Sequence, residues 1–244
     1  MMARRGVMGL LAGAVGVLGG CKPALPQFGA DDFPPVRYRL RAEVETPSGV
    51  RSGSSVIEVT LNRSITNYKL HGEAVAVDLP GGQVLFVLLR TPTNADWAAS
   101  LPGFVPPESF VATQTFKERQ AQEERQLAWI RADRAIHYVW GGDVAKDRAP
   151  YLPYIVRFRD LHDPKSVEQV DPLDLAKSFG AGYRLASLTV QSTDEVVTTG
   201  IEKRLVWLGG FPEPRLAQIP AGGVARPTLA QALSHGDFHR GPNP

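Results

Sequence analysis

The sequence predicts an α+β fold built largely on antiparallel sheet, and three observations lead there. Residues 36–45 alternate apolar and charged side chains with a period of two. Residues 84–89 form an almost unbroken apolar run between turn residues, as a central strand does. Residues 115–134 lack Gly and Pro and are rich in Glu, Gln, Arg and Ala, which predicts one longer helix. Several short helices and an irregular C-terminal tail complete the expectation.

The elements follow in order. Val36, Tyr38, Leu40, Ala42 and Val44 alternate with Arg37, Arg39, Arg41, Glu43 and Glu45, so one face of the first strand is core and the other is wet. Thr46-Pro47-Ser48-Gly49 is a turn, and Val50 to Leu61 returns as a second strand with Gly53 as a candidate bulge. Glu73 to Leu79 reads as a third strand, Pro80-Gly81-Gly82 as a turn and Gln83 to Arg90 as a fourth, giving an antiparallel meander. Beyond Thr91, Asn94, Asp96 and Trp97 suggest a short helix, followed by a Pro-rich loop through Pro107 and a sub-boundary near 92–112. In the helix Thr115 to Arg134, Phe116, Leu127 and Ile130 are sparse apolar points, and its mixed charges read as a solvated face.

Further on, Gly141 to Pro150 reads as a loop and Tyr154 to Arg159 as a strand. Asp171-Pro172 has the form of a cap with proline at the first position of a short helix ending at Gly180. Tyr183 to Gln191 is a strand, and Ile201 to Leu208 fits strand and helix equally. From Gly209 to Pro244 the chain is rich in Pro, Gly and Ala and is expected to lie loosely on the surface. Four regions result: 1–20, a signal peptide; 21–35, a tether holding Pro23, Pro26, Pro34 and Pro35; 36–208, the α+β domain; and 209–244, the tail.

The N-terminus carries the most specific pattern. Met1 to Gly6 is a cationic segment with Arg4 and Arg5, and Val7 to Val17 is an apolar segment of eleven residues. A helix needs about 20 apolar residues to span a bilayer, so a removed signal is favoured over an anchor helix. The stretch Leu18-Gly19-Gly20-Cys21 resembles the bacterial lipoprotein signal, in which an aliphatic residue and two small residues precede the cysteine. The resemblance implies cleavage before Cys21 and a diacylglyceryl group on its sulfur. It also implies an address: a lipid-anchored envelope protein facing the periplasm, with Lys22 instead of an Asp directing it to the outer rather than the inner membrane. Arg4-Arg5 is partly similar to a twin-arginine signal, but Gly6-Val7-Met8 fits that pattern poorly.

Composition narrows the function classes. The chain has 27 basic and 25 acidic side chains, and Arg4 and Arg5 leave with the signal, so the remaining charge balances. No basic stripe with interleaved aromatics replaces that missing field, and nucleic acid is not an expected partner. Cys21 is the only cysteine, so intramolecular disulfides are excluded. The segment from Asp163-Pro164-Lys165-Ser166-Val167-Glu168 to Thr198-Thr199-Gly200-Ile201-Glu202-Lys203-Arg204-Leu205 is similar to stretches of uncharacterised envelope proteins of alphaproteobacteria. That resemblance implies kinship and brings no activity with it.

The sharpest polar cluster is His235-Gly236-Asp237-Phe238-His239. In an extended segment, His235, Asp237 and His239 share a face and would offer two imidazoles and a carboxylate to one metal ion. The competing account is a solvated tail lacking groups to orient such ligands. His162-Asp163-Pro164 reads as a turn, and Asp171 and Asp174 as a cap and its neighbour rather than a catalytic carboxylate pair. Tyr138, Trp140, Tyr151, Tyr154 and Phe158 read as core aromatics before a contact patch. No serine lies in Gly-x-Ser-x-Gly or Ser-x-x-Lys, and no phosphate-binding glycine motif occurs, so no catalytic residue and no cofactor are assigned. The expectation is a binding or scaffolding domain held at the membrane by its lipid, with an envelope protein as partner. The alternative is an envelope hydrolase whose site assembles only in three dimensions from His71, His137 and His162 with distant carboxylates. A third class is a structural stabiliser of an outer-membrane assembly.

Overall fold

The computed structural model describes residues 35–62, 67–101, 136–138, 152–209 and 214–241. The expected signal, the expected tether as far as Pro34, the helix expected over 115–134 and the loop expected over 141–150 lie outside the described residues. Within them, β1 (Val36–Thr46) and β2 (Gly49–Asn62) form a long hairpin, and β3 (Asn67–Glu73) continues it. Burial along β1 alternates as its charge pattern predicts, with Tyr38, Leu40, Ala42 and Val44 inward. The hairpin turn is fixed by Thr46, whose hydroxyl donates to the Gly49 carbonyl (2.7 Å) and accepts from Ser48 N–H (3.2 Å), while Gly49 takes a φ of 110°.

The remaining strands are β4 (Val75–Asp78), β5 (Val84–Val87), β6 (Ile136–Tyr138), β7 (Ile155–Phe158), β8 (Val167–Val170), β9 (Arg184–Ser192) and β10 (His239–Arg240). They form two sheets with neighbour orders β10-β3-β2-β1-β9-β6 and β4-β5-β7-β8, and every pairing is antiparallel. Helix among the described residues is limited to single turns: α1 (Trp97–Ser100), α2 (Ala176–Phe179) and α3 (Leu229–Ala232). The antiparallel sheet matches the expectation, while the low helix content makes the α+β description a loose one.

Two expectations about the sheets change. The four-stranded meander is divided between the sheets, because Asn67–Glu73 forms a strand of its own and the chain leaves the first sheet at Ala74. Gly72 permits the crossing: its φ is 154° and a Cβ there would stand 2.9 Å from Ile57 Cγ1. Gly53 is no bulge, since it pairs with Ala42 in unbroken register. Its role is close approach, for a Cβ at Gly53 would lie 2.0 Å from the Ala76 carbonyl oxygen of β4. The irregularity occurs instead between β1 and β9, at Glu43 and Val44.

The two sheets enclose the main core, with Leu40, Ile57 and Val59 facing Val75, Leu85, Val87 and Ile155. A second core covers the opposite face of the four-stranded sheet. Phe86, Leu88, Val156 and Phe158 meet Ile201, Leu205, Leu208, Leu216, Leu233 and Phe238. β5 is therefore buried on both faces, which is why its sequence is continuously apolar. Residues 214–241, expected as a loose tail, form much of this third layer; Leu233 and Phe238 are fully buried. The segment Ile201 to Leu208 is neither strand nor continuous helix but a 3-10 turn, Ile201–Lys203, followed by irregular chain.

Candidate functional site

The polar cluster of the C-terminus folds differently from the extended segment that would make it a chelate. His235–Asp237 is a 3-10 turn, and Ser234 and Asp237 cap it reciprocally: the Asp237 carboxylate accepts from Ser234 N–H at 2.8 Å and from its hydroxyl at 3.2 Å. The alternation that would align three ligands is thereby lost. His235 Nδ1 accepts from Gly209 N–H (3.2 Å) and its ring lies 5.5 Å from that of Trp207. Asp237 sits 3.7 Å from Arg90 Nη1, and His239 Nδ1 lies 2.5 Å from Glu202 Oε1. His235, Asp237 and His239 thus have three separate sets of partners, and no group of metal-ligating side chains gathers among the described residues.

What the cluster does is join layers. The carbonyls of Asp237 and Phe238 accept from Leu89 N–H (3.0 Å) and Ala74 N–H (2.7 Å), and His239 pairs with Glu73 as β10 adds to β3. Arg240 reaches Asp96 at 3.0 Å and the Ala95 carbonyl at 3.0 Å. Burial pushes the Asp237 carboxyl above the ordinary carboxylate range, against the Ser234 hydrogen bonds and the Arg90 charge.

Glu73 was not singled out in the sequence, yet it is 7% exposed and accepts from Ile201 N–H at 2.9 Å. Burial raises its carboxyl above the usual range and the Glu202 charge adds to that, while Ile201 N–H and His239 act the other way. Nearby, Arg204 holds the Asp78 carboxyl below its usual range through a two-pronged pair. Glu73, Glu202 and His239 come closest to an acid and base constellation, but their contacts tie the third layer to β3.

The other sequence candidates are dispersed. His71 lies on β3 opposite Glu58, whereas His162 is exposed in the connection from β7 to β8, its N–H bonded to Asp160 Oδ1 at 2.8 Å. His137 lies on β6, with its side chain outside the described residues. Asp163 accepts from Lys165 N–H (2.9 Å) as a turn residue. Asp171 accepts from Leu173 N–H (2.9 Å), and α2 begins later, where Asp174 Oδ1 accepts from Lys177 N–H at 3.2 Å. Asp171 is thus a turn residue rather than the helix cap. Phe158 packs in the second core, and Tyr154 lies partly buried beneath the Arg90 guanidinium, 6.0 Å from its ring. Tyr138, Trp140, Tyr151 and Cys21 fall outside the residues whose side chains are described.

A polar groove of about 590 Å³ opens where β1 begins and β9 ends. Its walls include Pro35, Arg37 and Arg39 on one side and Gln191, Thr193 and Glu195 on the other. The period of two sets Arg37 and Arg39 on the outer face of the six-stranded sheet. Arg37 Nε is 2.7 Å from Glu58 Oε2, and its Nη1 donates to the Glu195 carbonyl at 3.4 Å. Arg39 pairs with the Glu195 carboxylate. Glu195 hangs from a strap, residues 193–200, pinned at both ends: Thr193 N–H donates to the Arg37 carbonyl (3.1 Å), and Thr198 exchanges bonds with the Val56 backbone (3.0 and 2.8 Å).

These features define the class: an antiparallel two-sheet β-protein with an irregular third layer and a charged groove at the mouth of its first strand. No helix among the described residues is long and apolar enough to cross a membrane. In comparison with known proteins, the chain matches no family model, no curated protein and no solved structure.

Proposed function

We propose that this protein is a lipid-anchored component of the bacterial cell envelope, attached through Cys21 with its domain facing the periplasm, at the outer membrane rather than the inner. Its work is to bind an envelope partner, and the groove between β1 and the 193–200 strap is the surface that binds. The observation that carries the reading is the position of that groove: Pro35, where the proposed tether meets the domain, forms part of its wall. A tether over residues 22–35 reaches at most about 50 Å, so the groove stays near the membrane surface and any partner there meets it at raised effective concentration. The lipoprotein-like Leu18-Gly19-Gly20-Cys21 supports the address, and the separation of His71 on β3 from His162 in the connection between β7 and β8 favours binding over hydrolysis.

The test is a photo-crosslinking amino acid at Thr193, compared with one at the exposed Gly222 on the third layer, in cells producing the full chain. A discrete adduct from position 193 that is absent from position 222 and lost with Cys21→Ser is the expected result. Equal labelling from both positions, or a mature chain whose intact mass lacks a diacyl group, would refute the proposal.

A further inference from the structure

We infer that the groove takes an acidic peptide, and that the chain's own Glu195 occupies the place of the peptide's carboxylate. This rests on the groove being the binding surface. Arg37 and Arg39 stand two residues apart on one face, a spacing of roughly 7 Å, which is the repeat of alternate side chains on an extended segment. Arg39 already grips a carboxylate, and that carboxylate is the more exposed partner: the Glu195 side chain is 60% accessible, Arg39 28%. Glu195 sits between the two pinned ends of its strap, so it can leave Arg39 while Thr193 and Thr198 keep their backbone bonds. Next to it Val196 is 81% exposed, so its side chain does not hold this part of the strap down.

The surrounding charges choose the kind of anion. Glu58, Asp194 and Glu195 stand around the two arginines, which opposes a dense polyanion or an anionic lipid surface, and with Arg37 held by Glu58 it leaves Arg39 to take a single carboxylate when Glu195 vacates it. Ser192 and Thr193 add hydroxyls to the walls, as a peptide backbone would use. Arginine holds a carboxylate with a planar fork that lysine lacks, so Arg39 confers geometry as well as charge.

The experiment is fluorescence anisotropy on the full lipidated chain in neutral detergent, with a labelled peptide bearing glutamate at alternate positions and its glutamine analogue. The glutamate peptide is expected to bind at least tenfold more tightly than the analogue. Arg39→Gln should weaken it about tenfold, with Arg39→Lys between the two. Glu195→Gln, which removes the internal competitor, should tighten binding by up to about fivefold, the range an exposed ion pair allows. Equal affinity for both peptides, a Glu195→Gln variant that binds no better, or tighter binding to phosphatidylglycerol vesicles than to the peptide would each overturn the inference. Thermal unfolding of each variant separates lost binding from lost fold. If position 193 still crosslinks a partner while the peptide fails, the binding proposal stands and the ligand class falls.

Discussion

Gly53→Ala tests the packing that brings the two sheets together. In ordinary backbone, replacing glycine by alanine stabilises a fold by about 0.4–1 kcal/mol through the unfolded chain, and Gly53 has no positive φ to oppose that. The new methyl, however, would stand 2.0 Å from the Ala76 carbonyl oxygen and 2.8 Å from its carbon. Favourable contact requires about 3.5 Å, so β2 and β4 must part by more than about 1 Å. The obstacle is backbone, paired with Phe86 across the β4 and β5 ladder, and cannot rotate aside. Ala42, opposite Gly53 and fully buried, shows the same demand for small residues at the crossing. Overpacking of this kind costs about 1–3 kcal/mol, and a backbone clash belongs at the upper end. A net loss of about 2 kcal/mol lowers Tm by about 4–8 °C in a domain of this size. Scanning calorimetry on Gly53→Ala and on Gly222→Ala, where an added Cβ meets no described residue within 4 Å, measures it. A Gly53→Ala protein melting within 1 °C of the parent would refute the close-packed crossing.

Phe238→Ala empties the centre of the second core, where Phe86, Phe158 and Trp207 ring it at 5.7–6.2 Å; the expected loss is about 3–5 kcal/mol in urea unfolding. A loss under about 1 kcal/mol would mean that residues 214–241 do not pack there. Glu73→Gln tests the buried carboxyl. Its folded pKa is raised, so its contribution to stability is complete below the unfolded value and is lost as pH rises through the folded one. Lowering the pH from neutral toward the ordinary glutamate range should therefore return to the parent the stability that the charged, buried carboxyl costs it. Glu73→Gln, which keeps an acceptor for Ile201 N–H, should flatten that gain when urea midpoints are followed against pH; an unchanged slope would contradict it. Ser55 is 1% exposed and its hydroxyl has no hydrogen-bond partner among the described residues. Ser55→Ala should raise stability by about 0.5–1 kcal/mol, and a loss in the same unfolding assay would contradict the cost assigned to that hydroxyl.

How much of this was legible follows from how locally each feature is determined. β1 was readable because solvent and core impose the period of two directly on Val36 to Glu45, and β5 because a doubly covered strand must be apolar throughout. The same charge alternation placed Arg37 and Arg39 on the wet face, so half of the groove was visible. Its other wall was not, because Glu195 reaches Arg39 across 156 residues through a strap with no periodic pattern. β3 escaped notice because Asn67–Glu73 carries few apolar residues, and the sheet change at Ala74 depends on Phe238 far along the chain. The third layer was misread for a related reason. Leu216, Leu233 and Phe238 are isolated among prolines and glycines, and only the uncovered outer face of β5 and β7 gives them somewhere to go. The one local clue was Ser234 three residues before Asp237, a capping pattern that speaks for a turn and against the extended geometry a metal site would have used.

The division between buried joints and exposed groove also makes the functional tests readable. Asp237, Glu73 and Phe238 are buried and tie the third layer to both sheets, so changing any of them perturbs the whole domain. Arg39 and Glu195 form a pair exposed enough that its removal costs about 0–1 kcal/mol, and each lies beside backbone bonds that survive the substitution. Arg37 is the less suitable probe, because Glu58 on β2 would lose its partner at the same time. A change in ligand affinity in Arg39 or Glu195 variants with an unaltered melting temperature therefore reports on the groove itself, and the opposite signs expected at the two positions cannot arise from general destabilisation.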